Sequence, residues 1–314
     1  MERGGMTDTF YDAVIVGGGT AGLSAAQMLG RARRRVLVVD AAAPRNRFVA
    51  HMHSVLGHDG RSPAELLRIG RAEAEAYGVE FLRTTVTSID DAGGRLSVAY
   101  DGGTLSARGA VLTTGVVDDL PDVPGLREQW GRGVIHCPYC HGYEVAGRRL
   151  GVLATSPASL HQIELVRQWS DDVTAFTAGL GDVDDTVTAR LAGRGIRLVD
   201  SIVTELRAED DVVTAVLTAD GTAHPIDALF TAPTPRLHLD YAANLDLAIS
   251  PEPGEGLRVD MRGGTSHPRV FAAGNVVTPF GNVPLSMGQG SMAGAGLNAA
   301  LVMEDAAIAS LARS

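Results

Sequence analysis

Short apolar runs alternate with helical stretches along much of the chain, an arrangement typical of parallel strands joined by helices. The first such unit begins with the apolar run 12–16, continues through an alanine-rich stretch to about Arg31 and ends with Val36–Val39. A second unit of the same length repeats the strand, the helix and the strand at 149–154, 158–169 and 173–177. The repetition predicts an α/β protein built from two nucleotide-binding folds of the same kind.

The stretches around these units predict a meander, further strands and two more helices. Ser62-Pro63-Ala64-Glu65 has the residues of a capping box, which predicts a helix from Pro63 to about Tyr77. Strands are predicted at 79–82, 84–89, 96–100, 104–105, 110–114, 196–199, 212–217, 228–231 and 269–273. A long helix rich in small residues is predicted from Pro284 to Met303, with proline favourably placed in its first turn.

The first unit carries glycines at the turn between its strand and its helix. Residues 17–22 follow the pattern Gly-x-Gly-x-x-Gly, and Asp40 ends the second strand 18 residues after Gly22. Gly17 permits the tight turn, Gly19 lets a pyrophosphate approach the backbone, and Gly22 lets the helix pack close to the strand. The helix N-terminus attracts phosphate, and Asp40 can accept hydrogen bonds from a ribose diol. This unit is therefore predicted to bind a dinucleotide.

The corresponding loop of the second unit lacks these glycines. It reads Ala-Thr-Ser-Pro-Ala-Ser over 154–159, so side chains obstruct a pyrophosphate and Pro157 removes an N–H group. The stretch 178–185 is neutral and then acidic, where a protein that binds NADP carries arginine for the 2′-phosphate. Either this domain keeps the fold and has lost its nucleotide, or residues 154–159 are not the counterpart of the glycine loop.

Composition and charge narrow the class of partner. The 314 residues suffice for two domains of ordinary size, and no apolar run approaches the ~18–20 residues that cross a bilayer. Residues 1–8 have no apolar centre, so we expect no secretory signal and a cytoplasmic location. A net charge of -10 argues against nucleic acid or an anionic membrane as partner.

The two cysteines of the chain form the pair Cys137-Pro-Tyr-Cys140, with His136 before it and His141 after it. A pair two residues apart cannot join distant parts of a fold, but it can cycle between dithiol and disulfide. The zinc alternative needs four ligands, and one short turn can hardly surround a metal tetrahedrally. Redox chemistry is the favoured interpretation, and no metal is expected.

Three further histidines, His51, His53 and His58, lie in the irregular stretch 44–60. Their uneven spacing among turn residues favours solvated or loop-packing side chains over metal ligands. The sequence assigns them no role.

Four ordered motifs make essentially the whole chain resemble the low-molecular-weight thioredoxin reductase family. They are Gly17-x-Gly19-x-x-Gly22, Thr114-Gly115, Cys137-x-x-Cys140 and Phe271-Ala-Ala-Gly274-Asn275. The resemblance implies two Rossmann-like, three-layer domains: a discontinuous FAD domain over 1–118 and 240–314, and an inserted central domain over 119–239 that carries the cysteines. It also implies a homodimer whose domains swivel, with Cys140 facing the flavin and Cys137 meeting the substrate.

The same resemblance implies that FAD contacts come from both ends of the chain. The predicted cofactor-binding residues are Gly17, Gly19, Thr20, Ala21, Gly22, Asp40, Asn46, Val86, Thr114, Gly115, Gly274, Asn275, Val283 and Pro284. A helix that starts at Pro284 could direct its N-terminus at the ring of a reduced, anionic flavin.

Departures from the family pattern indicate the direction of electron flow. The second glycine motif and the arginine cluster are missing, His141 replaces an aspartate after the second cysteine, and Asn275 replaces another. The run Cys140-His-Gly-Tyr-Glu resembles the dithiol oxidases of this superfamily, the holomycin and gliotoxin type, which pass electrons from a substrate dithiol to FAD and O2 and release hydrogen peroxide. Two other functions stay open: a thioredoxin-type reductase fed by NADPH or a ferredoxin-like protein, and a flavin-bearing redox sensor.

Histidine is the predicted base for the exchange reaction. With an ordinary pKa near ~6.5, His141 can take a proton from an incoming thiol, assisted by His136. The substrate thiolate then attacks Cys137, and its second thiol resolves the mixed disulfide. A small-molecule dithiol, a peptide or a thioredoxin-like protein all fit as substrate. The alternative is that both histidines only pack.

Overall fold

The computed structural model describes residues 10–252 and 256–312. The expectation about the first eight residues lies outside this part of the chain. Two compact units are formed: unit 1 comprises the described residues of Met1–Arg47, Arg61–Val117 and Pro235–Ser314, and unit 2 comprises Phe48–Gly60 and Asp118–Thr234. The resemblance implies that 48–60 belongs to the terminal domain, whereas the structure groups this segment with the central unit. The predicted α/β class with parallel sheets is confirmed.

Unit 1 contains a seven-stranded mixed sheet. Its strands are β1 (Phe10–Val16), β2 (Val36–Val39), β3 (Glu80–Leu82), β4 (Val86–Asp91), β5 (Leu96–Tyr100), β6 (Gly103–Leu112) and β17 (Val270–Ala272). The order is β3-β2-β1-β6-β5-β4, with β17 also paired to β6. β1 and β2 are buried at nearly every position, as expected for strands covered on both faces.

The strand β6 corrects the sequence prediction of two separate strands at 104–105 and 110–114. Its first half, Gly103–Ala107, pairs antiparallel with β5, and its second half, Ala110–Leu112, pairs parallel with β17. Burial changes from half-exposed to complete between these halves. Because the polarity pattern changes with the partner, the sequence suggests a break that the backbone does not have.

Three helices belong to unit 1: α1 (Thr20–Arg31), α2 (Pro63–Glu75) and α6 (Val283–Leu311). The predicted cap of α2 is confirmed, since Ser62 Oγ accepts a hydrogen bond from the Glu65 N–H at 3.2 Å. α6 continues eight residues past its predicted end at Met303. Within the described ranges, no helix combines the length and hydropathy that a bilayer crossing requires.

Unit 2 contains a parallel five-stranded sheet of order β11-β10-β9-β15-β8 and an antiparallel meander. The parallel strands are β8 (Val134–Ile135), β9 (Leu150–Leu153), β10 (Val173–Phe176), β11 (Arg197–Val199) and β15 (Ala228–Thr231). The meander strands are β12 (Val203–Glu209), β13 (Val212–Thr218) and β14 (Ala223–Pro225). The helices are α3 (Pro138–His141), α4 (Ser159–Val166) and α5 (Asp185–Gly193).

The prediction from the sequence is incomplete for unit 2. The helix predicted over 158–169 is only α4, because the residues after it turn back at Gln168 and Trp169. The strand β12 and the helix α5 were not predicted. The chain passes between the units through β7 (Val116–Asp119) and β16 (Thr234–Leu237).

Candidate active site

The glycine loop, residues 17–22, connects β1 to α1 in unit 1. Gly17 has a φ of +105°, and a Cβ atom there would lie 2.6 Å from the Thr113 carbonyl oxygen. A Cβ atom at Gly22 would lie 2.0 Å from the Gly17 carbonyl oxygen. Both positions therefore require glycine, as the motif predicts.

The middle of this loop is open. A Cβ atom at Gly19 would meet nothing within 4 Å, and no side chain caps the helix that begins at Thr20. The Asp40 carboxylate lies against the loop, 2.7 Å from where a Cβ of Gly18 would be. A dinucleotide needs these three features: open space and a helix N-terminus for its pyrophosphate, and a carboxylate for its ribose.

Thr113 holds the loop in place and is a residue that the sequence missed. Its single O–H hydrogen is shared between the carbonyl oxygens of Val16 at 2.9 Å and Gly17 at 2.8 Å. The next residue, Thr114, shares a hydrogen bond of 3.1 Å with the Tyr241 hydroxyl. Burial raises the pKa of Tyr241 to about 12, so this hydroxyl stays protonated. A polar residue at the end of a buried strand was the available signal.

The C-terminal motif lies beside the glycine loop. Gly274 has a φ of +79°, and a Cβ atom there would lie 2.9 Å from the Ala21 Cβ. The Gly274 N–H donates to Gln289 Oε1 at 3.0 Å, which ties the motif to α6. Asn275 Nδ2 donates to the carbonyl oxygens of Thr278 at 3.0 Å and Gly281 at 2.8 Å. Because that nitrogen is engaged, Oδ1 is the Asn275 atom that could meet a ribityl hydroxyl.

Small residues allow α1 and α6 to come close. A Cβ atom at Gly290 would lie 2.0 Å from the Ala21 carbonyl oxygen, and one at Gly294 would lie 2.8 Å from that of Ala25. This contact sets the two predicted halves of the cofactor site, from opposite ends of the sequence, next to each other.

The remaining predicted cofactor residues lie in loops and strand ends of unit 1. α6 starts at Val283 and Pro284 and is capped by Asn282, whose Oδ1 accepts from the Leu285 N–H at 3.0 Å. Asn46 lies in the turn after β2, and its neighbour Arg45 donates to the Pro279 carbonyl oxygen. Val86 is buried at the start of β4, and Gly115 follows β6 with a φ of +70°. Their contacts with a cofactor remain predictions.

The loop between β9 and α4 in unit 2 differs from the glycine loop in its hydrogen bonding. The Thr155 N–H donates to Ser159 Oγ at 3.1 Å, and the Ser159 N–H donates to the Ser156 carbonyl oxygen at 2.9 Å. A Cβ atom at Gly179 would lie 2.1 Å from the Ala154 carbonyl oxygen, so the turn after β10 packs directly on this loop. These N–H groups are satisfied within the loop and are not available to phosphate.

A cavity of about 480 Å³ lies at the carboxyl ends of β9, β10 and β15. This is the place where open α/β sheets bind their ligands. Of the described residues that line the cavity, most are apolar, Asp119 is the one with an ionisable side chain, and none is arginine or histidine. Asp184, which caps α5, keeps a pKa below its ordinary 3.8 because the Thr186 N–H donates to it. Among the described lining residues there is thus no cation to bind a dinucleotide phosphate.

The cysteines lie in the short helix α3 and form a disulfide between Cys137 and Cys140. Cys137 is the N-cap of α3, and its carbonyl oxygen accepts from the N–H groups of Cys140 at 3.1 Å and His141 at 3.2 Å. A Cβ atom at Gly142 would lie 2.8 Å from the Trp169 ring. The redox pair is thus held in one turn that is packed against an aromatic side chain.

His141 lies in the same turn as the disulfide. Its Nε2 is 3.4 Å from the His51 carbonyl oxygen. Because a carbonyl oxygen only accepts, this contact favours the tautomer with hydrogen on Nε2 and leaves Nδ1 as the acceptor. Burial lowers the pKa of His141 below its ordinary 6.5, and the nearby His53 adds to the lowering. A lowered pKa favours the neutral ring, whose Nδ1 lone pair can accept a proton.

His136 precedes the disulfide turn, directly after β8. Its carbonyl oxygen accepts from Gln162 Nε2 at 2.6 Å, which joins the segment to α4. Across residues 10–252 and 256–312, no group of three or more histidine, cysteine, aspartate or glutamate side chains is arranged to hold a metal ion. The base role predicted for His136 stays a prediction.

The chain is similar to known proteins over most of its length. The family model described as pyridine nucleotide-disulphide oxidoreductase matches residues 11–290. This chain belongs to that family. "Thioredoxin reductase sirT" of Leptosphaeria maculans is 30% identical over 92% of this chain and 94% of its own length. "Thioredoxin reductase aclD" of Aspergillus oryzae (strain ATCC 42149 / RIB 40) is 29% identical over 96% of this chain and 100% of its own length.

Solved structures agree with this membership. The crystal structure of HlmI is 41% identical with a TM-score of 0.92, covering 99% of this chain and 97% of HlmI. The structure of the oxidoreductase from Agrobacterium tumefaciens is 38% identical with a TM-score of 0.89, covering 94% of this chain and 99% of that one. The predicted resemblance to thioredoxin reductase-like flavoproteins is confirmed.

The family is FAD-dependent, and the chain is an FAD-dependent disulfide oxidoreductase of thioredoxin reductase type. The residues of unit 1 fit the cofactor, because Gly19 leaves open space in front of an uncapped helix N-terminus. Gly17, Gly19, Gly22 and Asp40 are the residues that would hold its pyrophosphate and ribose.

Proposed function

We propose that this oxidoreductase is a dithiol oxidase, which closes a disulfide in a small-molecule or peptide dithiol with O2 as the final electron acceptor. The observation that carries the proposal is the state of the second nucleotide loop. Its N–H groups at Thr155 and Ser159 are engaged within the loop, and the cavity beside it has no cation among its described lining residues. An enzyme without a place for NADPH must receive electrons from another donor, and a substrate dithiol is the donor that a disulfide accepts directly.

His141 Nδ1 accepts the proton of the first substrate thiol in this mechanism. The resulting thiolate attacks Cys137, the bond between the two enzyme sulfurs breaks, and Cys140 leaves as a thiolate. The second substrate thiol attacks the mixed disulfide, which releases the oxidised product and leaves Cys137 and Cys140 reduced. Bound FAD supplies the two-electron path from the reduced pair to O2. The sum is one dithiol and one O2 converted to one disulfide and one hydrogen peroxide.

The lowered pKa of His141 suits this role. A base must be unprotonated to act, and burial keeps the neutral ring populated at pH 7. We expect kcat/KM for a dithiol to rise along an acid limb whose midpoint lies below 6.5. The assisting role of His136 as a base stays a prediction. The same holds for a thioredoxin-like protein as substrate, for the homodimer and for the cytoplasmic location.

A second candidate is reduction of a disulfide by NADPH, as in thioredoxin reductases. The relatives aclD and sirT, which are named thioredoxin reductases, favour it. It requires NADPH to bind unit 2 in a pose that avoids the closed loop.

Anaerobic rapid mixing separates the two candidates. We expect dithiothreitol to bleach the visible flavin band of the holoenzyme at least about 100-fold faster than NADPH does, and aerobic turnover to release one peroxide per dithiol. Cys137→Ser and Cys140→Ser should each abolish peroxide release while FAD stays bound. Rapid bleaching by NADPH would exclude the oxidase and support the reductase.

A further inference from the structure

The segment 48–60 of unit 2 forms a loop that is closed on itself and anchored in the core. His51 Nδ1 lies 3.0 Å from the Gly60 carbonyl oxygen, and the Gly60 N–H donates to the Met52 carbonyl oxygen at 2.9 Å. The side chains of Met52 and Val55 are buried. The loop therefore presents its histidines from a fixed backbone rather than from a free one.

His53 is clamped between two carboxylates. Its Nε2 lies 3.3 Å from Glu144 Oε1, and its Nδ1 lies 3.5 Å from Asp59. A neutral imidazole can donate to one of them at a time, whereas the protonated ring can donate to both. The His53 side chain is 22% exposed, and those of Glu144 and Asp59 are 42% and 70% exposed, so the clamp lies at the surface of unit 2.

The backbone next to this ring is held in an uncommon conformation. Ser54 has a φ of +62°, which residues with a side chain rarely adopt, and its N–H donates to Asp59 Oδ1 at 2.9 Å. The same carboxylate thus fixes both the turn and the ring. Such local strain persists where the surroundings hold a side chain in a defined position.

His53 also faces the proposed base. The rings of His53 and His141 have centroids 6.2 Å apart and planes at 90°. Glu144, three residues after His141, therefore joins the disulfide segment to the loop, and the His51 carbonyl joins it a second time. A positive charge on His53 lowers the pKa of His141, and the negative charge of Glu144 raises it.

We propose that His53 and Glu144 form a positioning pair, which fixes the orientation of the His141 ring and the pH at which it accepts a proton. The proposal rests on the role of His141 as base in the proposed function. It gives a function to the loop 48–60, to whose histidines the sequence assigns no role.

Among the residues that the structure describes, the other titratable groups near His141 are engaged elsewhere or exposed. The two cysteines are joined as a disulfide. The His51 ring is turned to the Gly60 carbonyl oxygen, and Asp59 contacts the His53 ring. On α4, which packs on α3, Glu164 is paired with Arg190 at 2.7 Å and His161 is exposed.

The test is a histidine NMR titration of the oxidised holoenzyme, with the His141 resonance assigned from His141→Gln. We expect His53→Gln to raise the pKa of His141 by about 0.5 pH unit, and Glu144→Gln to lower it by a similar amount. The acid limb of kcat/KM for dithiothreitol should move in the same two directions. Glutamine can still donate to Glu144, so a purely structural role of His53 would be rescued by this substitution.

His161→Gln, an exposed histidine of the same unit, is the matched control and should leave the His141 titration unchanged. If neither variant of the pair moves the titration, or both move it in one direction, the proposal is overturned. Glu144→Gln lies outside the loop and is isosteric, so it tests the pair even if His53→Gln fails to fold. Because the titration needs no substrate, an enzyme that releases no peroxide would contradict the oxidase alone.

Discussion

The glycine loop of unit 1 and the loop 154–159 of unit 2 occupy the same place in two equivalent strand–loop–helix units, yet they differ in what they leave open. In unit 1, Gly17 and Gly22 allow the backbone to fold tightly, and Gly19 faces empty space in front of α1. In unit 2, Ser159 Oγ accepts a hydrogen bond from the Thr155 N–H, and the turn at Gly179 packs on the loop. The fold alone does not bind a nucleotide, because binding also needs unsatisfied N–H groups and room for phosphate.

The largest expected effect comes from substitutions in the glycine loop. Gly22→Val should abolish FAD retention and expose the core, because its side chain would begin 2.0 Å from the Gly17 carbonyl oxygen. Gly19→Ala meets nothing in the protein, so the apoprotein should melt as wild type while FAD binds at least about tenfold more weakly. The flavin content of the purified protein measures the effect of Gly22→Val, and an FAD titration of the apoprotein measures the effect of Gly19→Ala.

Gly193→Ala, at the end of α5 in unit 2, is the control, since a Cβ atom there also meets nothing within 4 Å. It should retain FAD fully. Normal FAD affinity in Gly19→Ala would contradict the assignment of the open space to the pyrophosphate.

A smaller effect is expected from opening the closed loop of unit 2. Ser159→Ala removes the acceptor of the Thr155 N–H and should cost about 1 kcal/mol, or about 2–4 °C in Tm. FAD content should not change, and NADPH should still fail to bleach the flavin, because the cavity gains no cation. Thermal melting and anaerobic mixing check these outcomes, and NADPH reduction in this variant would show that the serine alone blocks the site.

The smallest effect concerns ion pairs, which also differ between the units. In unit 1, partial burial opposes ionisation of Glu304, but hydrogen bonds from Arg269 and Arg108 outweigh it and hold its pKa below the ordinary 4.5. A carboxyl group with a lowered pKa stabilises the fold above its unfolded pKa and loses that contribution as the pH falls through the folded pKa. We expect Glu304→Gln to lower Tm by about 1–2 °C at pH 7, because a partly exposed ion pair contributes little, and to flatten the decline of Tm below pH 4.5.

Asp227 of unit 2 is the matched comparison. Hydrogen bonds from the exposed Arg149 lower its pKa, so Asp227→Asn should act in the same sense but more weakly, since surface ion pairs contribute little. Melting curves across pH 3–7 would contradict this ranking if Asp227→Asn were the more harmful substitution.

Local patterns account for most of what could be predicted. The strands β1, β2, β9 and β10 follow from apolar runs bounded by turn residues, and α2 follows from its capping box. The disulfide and the absence of glycines from 154–159 are also local facts. The limits of α4 and α6 could not be predicted, because packing rather than propensity decides where a helix stops.

Contacts between distant residues were outside the reach of the sequence. Thr113, Tyr241 and Gln289 look like ordinary polar or aromatic positions until hydrogen bonds join them to Gly17, Thr114 and Gly274. The strand β6 reads as two pieces because its neighbours change half-way. The three hydrogen bonds join residues up to 127 positions apart in the chain.

The sequence by itself determined a two-unit α/β chain with one dinucleotide-binding glycine loop and a Cys-x-x-Cys centre, because glycine spacing, apolar runs and the cysteine pair are short-range features. The flavin was implied by the resemblance of the whole chain to a known family. Only the tertiary structure decided that residues 48–60 join the central unit, where His53 meets Glu144 and His51 meets His141. A loop without regular hydrogen bonding carries no periodicity, so its neighbours are set by the packing of the whole unit.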